Sequence, residues 1–223
     1  MGLGLGLSIT GGYALSWEPS ELSSLLHWYR LGVGQISDDD GVTGWRDQKG
    51  SNNLTGAGGA ANQPVLSNGA VVFNASDDHL EYSSALTLGK FSFYLRVEHS
   101  SPGDFFTTQV DSGGTDFIKM QSNSEARIKI TSRHDYTLAT SLSNDTKYTV
   151  GYERNSDGDI KVFVNSQEAT LSSGDGNEAI SDLTNFVELG RPAQGLTVYE
   201  IVILNDVLDA TNRALLFDYL SSK

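Results

Sequence analysis

The side chains best suited to chemistry in this sequence are carboxylates grouped in turns. Asp38-Asp39-Asp40, Asp77-Asp78 and Asp157-x-Asp159 form three acidic loops, and loop carboxylates with nearby carbonyls are hard oxygen ligands of the kind that hold calcium. The same residues have a plainer role. Asp is favoured in turns, Asp157-Gly158 is a hairpin signal, and residues 155–159 lack the rest of an EF-hand loop. Calcium is thus the one cofactor the sequence suggests, and no other is expected. His27, His79, His99 and His134 do not pair at metal-binding spacing, and each reads as a surface or strand-end residue. There is no Gly-x-Ser-x-Gly elbow, no phosphate loop with Lys and no Cys, so nucleophilic catalysis has no candidate. Trp17, Trp28, Trp45 and Tyr13 could build an aromatic platform for a sugar. Aromatics at regular strand positions are more often core, and Trp28 and Trp45 are expected to be buried.

The elements that must position these groups are strands. Val71-Val72-Phe73, a turn over Asn74–Asp78, and Leu80-Glu81-Tyr82 read as strand, turn, strand, with Phe73, Leu80 and Tyr82 facing a core. Asn74, Ser76 and Asp77 are expected to close that turn through side-chain to backbone hydrogen bonds. Phe91–Val97 alternates aromatic and branched residues. Tyr148–Arg154 and Ile160–Asn165 flank an Asp-Gly turn as a hairpin, and Leu196–Leu204 is apolar enough for a central strand buried on both faces. Further strand signals recur from residue 42 to residue 190, separated by Gly, Asn, Asp and Ser clusters, and residues 33–41 read as a polar loop. One helix closes the chain, N-capped by Asp209, with Leu215, Leu216, Tyr219 and Leu220 as its apolar stripe and a lid over one edge as its role.

Residues 2–10 alternate strictly, with Leu3, Leu5, Leu7 and Ile9 on one face and Gly2, Gly4, Gly6 and Ser8 on the other. The pattern fits a frayed terminus, a first strand of the domain's own sheet, or an arm ordered by a partner chain. Residues 1–12 are therefore read as an extended Gly/Leu arm hinged at Gly11-Gly12, and residues 13–223 as one domain.

The composition narrows the function classes. A chain of 223 residues can bury a core without staples. A formal net charge of -13 repels phosphate backbones, so no nucleic-acid partner is expected. The N-terminal region lacks the basic segment and continuous apolar stretch of a secretory signal, and no run is long enough for membrane insertion. Synthesis in a cytoplasm without export by the general secretory route is expected.

Taken in order, Trp28, Trp45-x-Asp47-x-x-Gly50-x-x-Asn53, Phe73, Asp77-Asp78-x-Leu80, Val164-Asn165, Leu189-Gly190-Arg191, Glu200 and the helix from Asp209 resemble the concanavalin A-like lectin/glucanase superfamily. The likeness is above all to the laminin-G-like jelly rolls of many phage virion proteins. It departs at Ser166, where that pattern usually has Gly, and at Asp47-Gln48-Lys49-Gly50, where Asp-x-Ser-Gly is commoner. The resemblance implies an all-β, two-sheet antiparallel jelly-roll sandwich with a short C-terminal helix. The hydrolytic branch of the superfamily carries Glu-x-Asp-x-Glu on one strand, and this chain has none: Arg154 and Asn155 follow Glu153, and apolar residues follow Glu200. An enzyme would need carboxylates converging from different strands. The expectation is a non-enzymatic phage virion structural protein at the virion surface, made in the host cytoplasm and displayed on capsid or tail. Its arm would anchor it to neighbouring virion subunits or copies of itself, and it could aid attachment to host-surface glycans. The alternative is a carbohydrate-binding, lectin-like module.

Overall fold

The structure, a computed structural model, describes residues 17–56, 59–103, 105–109, 116–191 and 195–223. The expected arm, with Leu3, Leu5, Leu7 and Ile9, lies outside these residues, as does Tyr13. The early strands are β1 (Leu25–Tyr29), β2 (Gln35–Ser37), β3 (Val42–Trp45), β4 (Leu54–Gly56), β5 (Val65–Ser67), β6 (Ala70–Phe73) and β7 (Leu80–Leu86). The middle of the chain supplies β8 (Phe91–His99), β9 (Phe105–Thr108), β10 (Phe117–Ser122), β11 (Glu125–Lys129) and β12 (Arg133–Thr137). After them come β13 (Tyr148–Arg154), β14 (Ile160–Val164), β15 (Gln167–Glu168), β16 (Thr170–Ser173), β17 (Phe186–Leu189), β18 (Leu196–Leu204) and the helix α1 (Ala210–Ser221).

These strands form two antiparallel sheets, one of eight strands and one of ten. The first runs β15-β14-β13-β8-β18-β6-β5, with β1 also pairing β18. The second runs β16-β12-β11-β10-β9-β17-β7-β4-β3-β2. Alternation drives the packing. Phe91, Phe93, Leu95 and Val97 of β8 enter the layer between the sheets, where they meet Ile118, Ile128, Phe106 and Phe186. Tyr29 packs edge-on against Trp45 at 6.0 Å and Tyr82 at 6.1 Å. Each such fully buried side chain contributes roughly 1.5–3 kcal/mol. As expected, Phe73, Leu80, Tyr82, Trp28 and Trp45 are all buried.

A second apolar layer lies on the outer face of the eight-stranded sheet, beneath α1. Leu25, Trp28, Tyr94, Phe163, Val202 and Leu204 meet Leu216, Phe217 and Leu220 there. β18 thus serves both layers, sending Ile201 and Ile203 inward and Val202 and Leu204 outward. The helix therefore covers a sheet face rather than an edge. Its stripe also differs from the expected one: Arg213, Leu216, Phe217 and Leu220 follow the i, i+3, i+4, i+7 spacing, whereas Leu215 is turned to solvent at 36% exposure. Close packing at this face requires Gly151, because a Cβ there would stand 2.3 Å from the Tyr94 ring. Asp209 caps the helix as expected, accepting from Asn212 N at 2.9 Å.

Candidate functional site

β7 and β17 are neighbours in the middle of the ten-stranded sheet, with Leu189 opposite Leu80 and Glu188 opposite Glu81. The two leucines fill the core at 0% exposure, so alternation turns both glutamates to the outer face. His79 lies two residues before Glu81 and shares its face. Its Nδ1 is 2.7 Å from the Asp77 carbonyl oxygen. A carbonyl can only accept, so Nδ1 carries the proton, and the lone pair of the neutral ring is at Nε2. That Nε2 lies 3.9 Å from Glu81 Oε1 and 3.4 Å from Arg191 Nη1. Arg191 also approaches Glu188 Oε1 at 3.7 Å.

Two devices hold this arrangement. Gly190, at φ +92°, ends β17, and a Cβ there would strike the Phe73 ring at 2.3 Å; only glycine turns the chain here and delivers Arg191. On the other side, Asp78 Oδ2 accepts from Asn74 N at 2.8 Å and Ala75 N at 3.0 Å. Asp78, not Asn74, Ser76 or Asp77, therefore closes the turn that presents His79. The ladder register extends the same outer face across the sheet, from Thr55 through Glu81, Glu188, Thr108 and Phe117 to Lys129.

The seven aspartates proposed from sequence as calcium ligands lie in three separate turns. Asp38 Oδ1 accepts from Asp40 N and Gly41 N, and Asp39 and Asp40 are exposed. The Asp159 oxygens accept from the Asn155 and Asn177 amides at 3.2 and 3.0 Å, and Asp157 is exposed. Asp77 and Asp78 contribute to the turn described above. Among the described residues, the His and carboxylate groups close enough to share an ion are His79, Glu81 and Glu188, with ligand atoms within 4.8 Å of one another.

The histidines meet the expectation in part: His99 ends β8 and His79 directly precedes β7, but the surface placement fails. His79, His99 and His134 are buried at 1–2% exposure, because each bonds through both ring nitrogens or across strands. His99 meets Tyr148 Oη at 2.7 Å and Asn123 Oδ1 at 2.8 Å. His134 meets Glu178 Oε1 at 3.2 Å and accepts from Gly176 N at 3.1 Å. His27 Nδ1 is 2.7 Å from Asp47 Oδ2. Of the aromatic candidates, Trp28 and Trp45 belong to the core, and Trp17 is half-buried against Tyr219 at 6.2 Å. A cleft of about 200 Å³ beside Leu138, Leu142, Val164 and Ala169 carries no ionisable lining residue, so it offers no acid–base chemistry. Sequence reasoning missed the His79–Glu81–Glu188–Arg191 group. The His-x-Glu spacing on one strand face was its local signal, but Glu188 lies 107 positions beyond Glu81.

No protein-family model matches the chain, and no curated protein matches it in sequence. Solved structures match its fold. Trypanosoma rangeli sialidase in complex with 2,3-difluorosialic acid superposes with a TM-score of 0.58 and 16% identity, over 91% of this chain and 34% of the sialidase. Domain 4 of AbnA, an extracellular GH43 arabinanase from Geobacillus stearothermophilus in complex with arabinotriose, superposes with a TM-score of 0.54 and 16% identity, over 87% of this chain and 97% of that domain. The chain spans about a third of the length of the sialidases it matches. At this identity the likeness is of fold, and it bears out the two-sheet β-sandwich. Neither neighbour is a virion protein. Among the described residues, no helix is long and apolar enough to cross a membrane.

Proposed function

We propose that this sandwich is a carbohydrate-binding module whose site is the outer face of the ten-stranded sheet around Glu81, Glu188, His79 and Arg191. The observation that carries this reading is the convergence of two carboxylates, a guanidinium and an imidazole from separate strands and loops on one sheet face. Carboxylates accept from vicinal sugar hydroxyls while Arg donates, so the group can engage a hydroxyl-rich ligand in both senses. Fold neighbours described in complex with a sialic acid derivative and with arabinotriose support the class of ligand. Titration with arabino-oligosaccharides and sialosides is expected to give millimolar to micromolar affinity, weakened in Glu81→Gln. A glycan array without hits above background would sink the reading.

The carboxylates of Glu81 and Glu188 also meet the condition for a hydrolytic pair, since they converge from different strands. Arg191 beside Glu188 offers donors to a ligand's oxygens, which suits binding. Release of reducing sugar from arabinan or sialyllactose, abolished in Glu81→Gln, would replace binding with hydrolysis.

The sequence of residues 2–10 favours a compatible second reading, in which the module is displayed on a virion and tethered by that segment to neighbouring subunits. Strand addition would supply main-chain hydrogen bonds and pockets for alternate leucines. Deleting residues 1–12 is expected to leave a folded protein that no longer enters particles. Unchanged incorporation would end this reading.

A further inference from the structure

Two carboxylates and an imidazole lone pair on one sheet face select a positive charge, and Arg191 already stands among them. We propose that His79, Glu81 and Glu188 form a binding site for a divalent transition ion of the zinc class. Nε2 of His79 and one oxygen from each glutamate would be the protein ligands. Acidity alone would not make this a site; the observation that points to a ligand is the imidazole. His79 is 2% exposed, and its Nδ1–H donates to the Asp77 carbonyl, so the ring is held with its Nε2 lone pair 3.9 Å from Glu81 Oε1, where Arg191 Nη1 now meets it at 3.4 Å. A ring held through its other nitrogen by a carbonyl is the outer arrangement found around metal-binding histidines. One nitrogen and two oxygens suit zinc, manganese or cobalt, whereas calcium takes oxygen ligands throughout.

The geometry requires a small closure. Ligand atoms about 2.0–2.2 Å from a tetrahedral ion stand roughly 3.3–3.6 Å apart, so separations that reach up to 4.8 Å must shrink by as much as about 1.2–1.5 Å. The Glu81 side chain is 46% exposed and can rotate to do this. The Arg191 side chain is 24% exposed and withdraws toward solvent, because guanidinium and ion compete for the same carboxylate and for His79 Nε2. A fourth position remains toward solvent for water or a hydroxyl. The inference does not depend on the glycan reading, whose titration is run in EDTA so that either result stands alone.

The test is calorimetric titration of the full chain with ZnCl₂ in a non-chelating buffer, with the visible spectrum of added Co²⁺ as a second readout. One ion per chain is expected, removed by EDTA, with cobalt bands of a mixed nitrogen and oxygen site. Glu81→Gln changes a half-exposed side chain and leaves the core intact; it is expected to weaken uptake by about tenfold or more. Arg191→Gln is expected to strengthen uptake. Absence of saturable uptake by the wild type overturns the proposal, even where Arg191→Gln takes up the ion, since Arg191 is then the resident cation. Wild-type uptake that Glu81→Gln leaves unchanged also overturns it, because the ion then sits elsewhere.

Discussion

Glu200 shows how single residues hold this fold. It is fully buried, yet it accepts from the Trp28 indole N–H and the Tyr219 hydroxyl, both at 2.7 Å. Removing one donor from a buried carboxylate leaves part of its desolvation cost unmet, so Tyr219→Phe should lose about 1–3 kcal/mol in urea unfolding. A loss near zero would mean that water replaces the hydroxyl. Asp47 works similarly in the loop after β3. Burial raises its carboxyl pKa, but bonds from His27 and the backbone of Trp28, Lys49 and Gly50 outweigh burial and hold it below the ordinary value of 3.8. A lowered folded pKa adds stability that is present above the unfolded value and lost as pH falls through the folded one. Asp47→Asn should therefore cost about 1–3 kcal/mol at neutral pH, with the gap to wild type closing below about pH 4. A gap that stays constant into strong acid would show that the charge is not what matters. The Trp-x-Asp pattern of this loop was visible in the sequence. Its partner His27, 20 positions earlier, was not, because β1 in one sheet and the loop after β3 in the other meet only through packing, not through spacing.

At the scale of elements, α1 is pinned to the outer sheet face by Glu153. That carboxylate takes Arg213 Nη2 at 2.8 Å and Nε at 3.1 Å, along with the Tyr94 hydroxyl at 2.6 Å. Burial alone would lower the Arg213 pKa, but Glu153 outweighs it and raises it. Arg213→Ala leaves Glu153, which is 2% exposed, without its cation, and should cost about 2–4 kcal/mol, reduced from a fully buried pair because the arginine is partly exposed. Faster amide exchange across residues 210–221 is the expected signature, and unchanged protection would show that apolar contacts alone hold the helix. The long strands were legible: Leu196–Leu204 came out with the expected bounds. The short ones were not. β2, β4, β5 and β15 have two or three residues each, too few for a period of two to show. The four-residue β16 is exposed throughout, so it offers no apolar alternation to read.

At the scale of the molecule, a net charge of -13 on 223 residues sets carboxylates against one another over the whole surface. Screening should relieve this, so the melting temperature should rise when NaCl goes from about 0.02 to about 0.5 M. A fall would mean that ion pairs such as Lys90–Asp206 outweigh the general repulsion. The sequence by itself determined the class of the molecule. Alternating apolar residues, turn formers between them and one capped helix mark an all-β domain, and the resemblance to concanavalin A-like domains implied the two-sheet sandwich. The tertiary structure alone decided where the helix lies, which acid closes the turn before β7, and which groups meet on the ten-stranded sheet. The reason is physical: alternation and capping act over a few residues and are written locally, whereas the meeting of Glu81 with Glu188, or of Trp28 with Glu200, depends on strand order and register, which only the packed sheets fix.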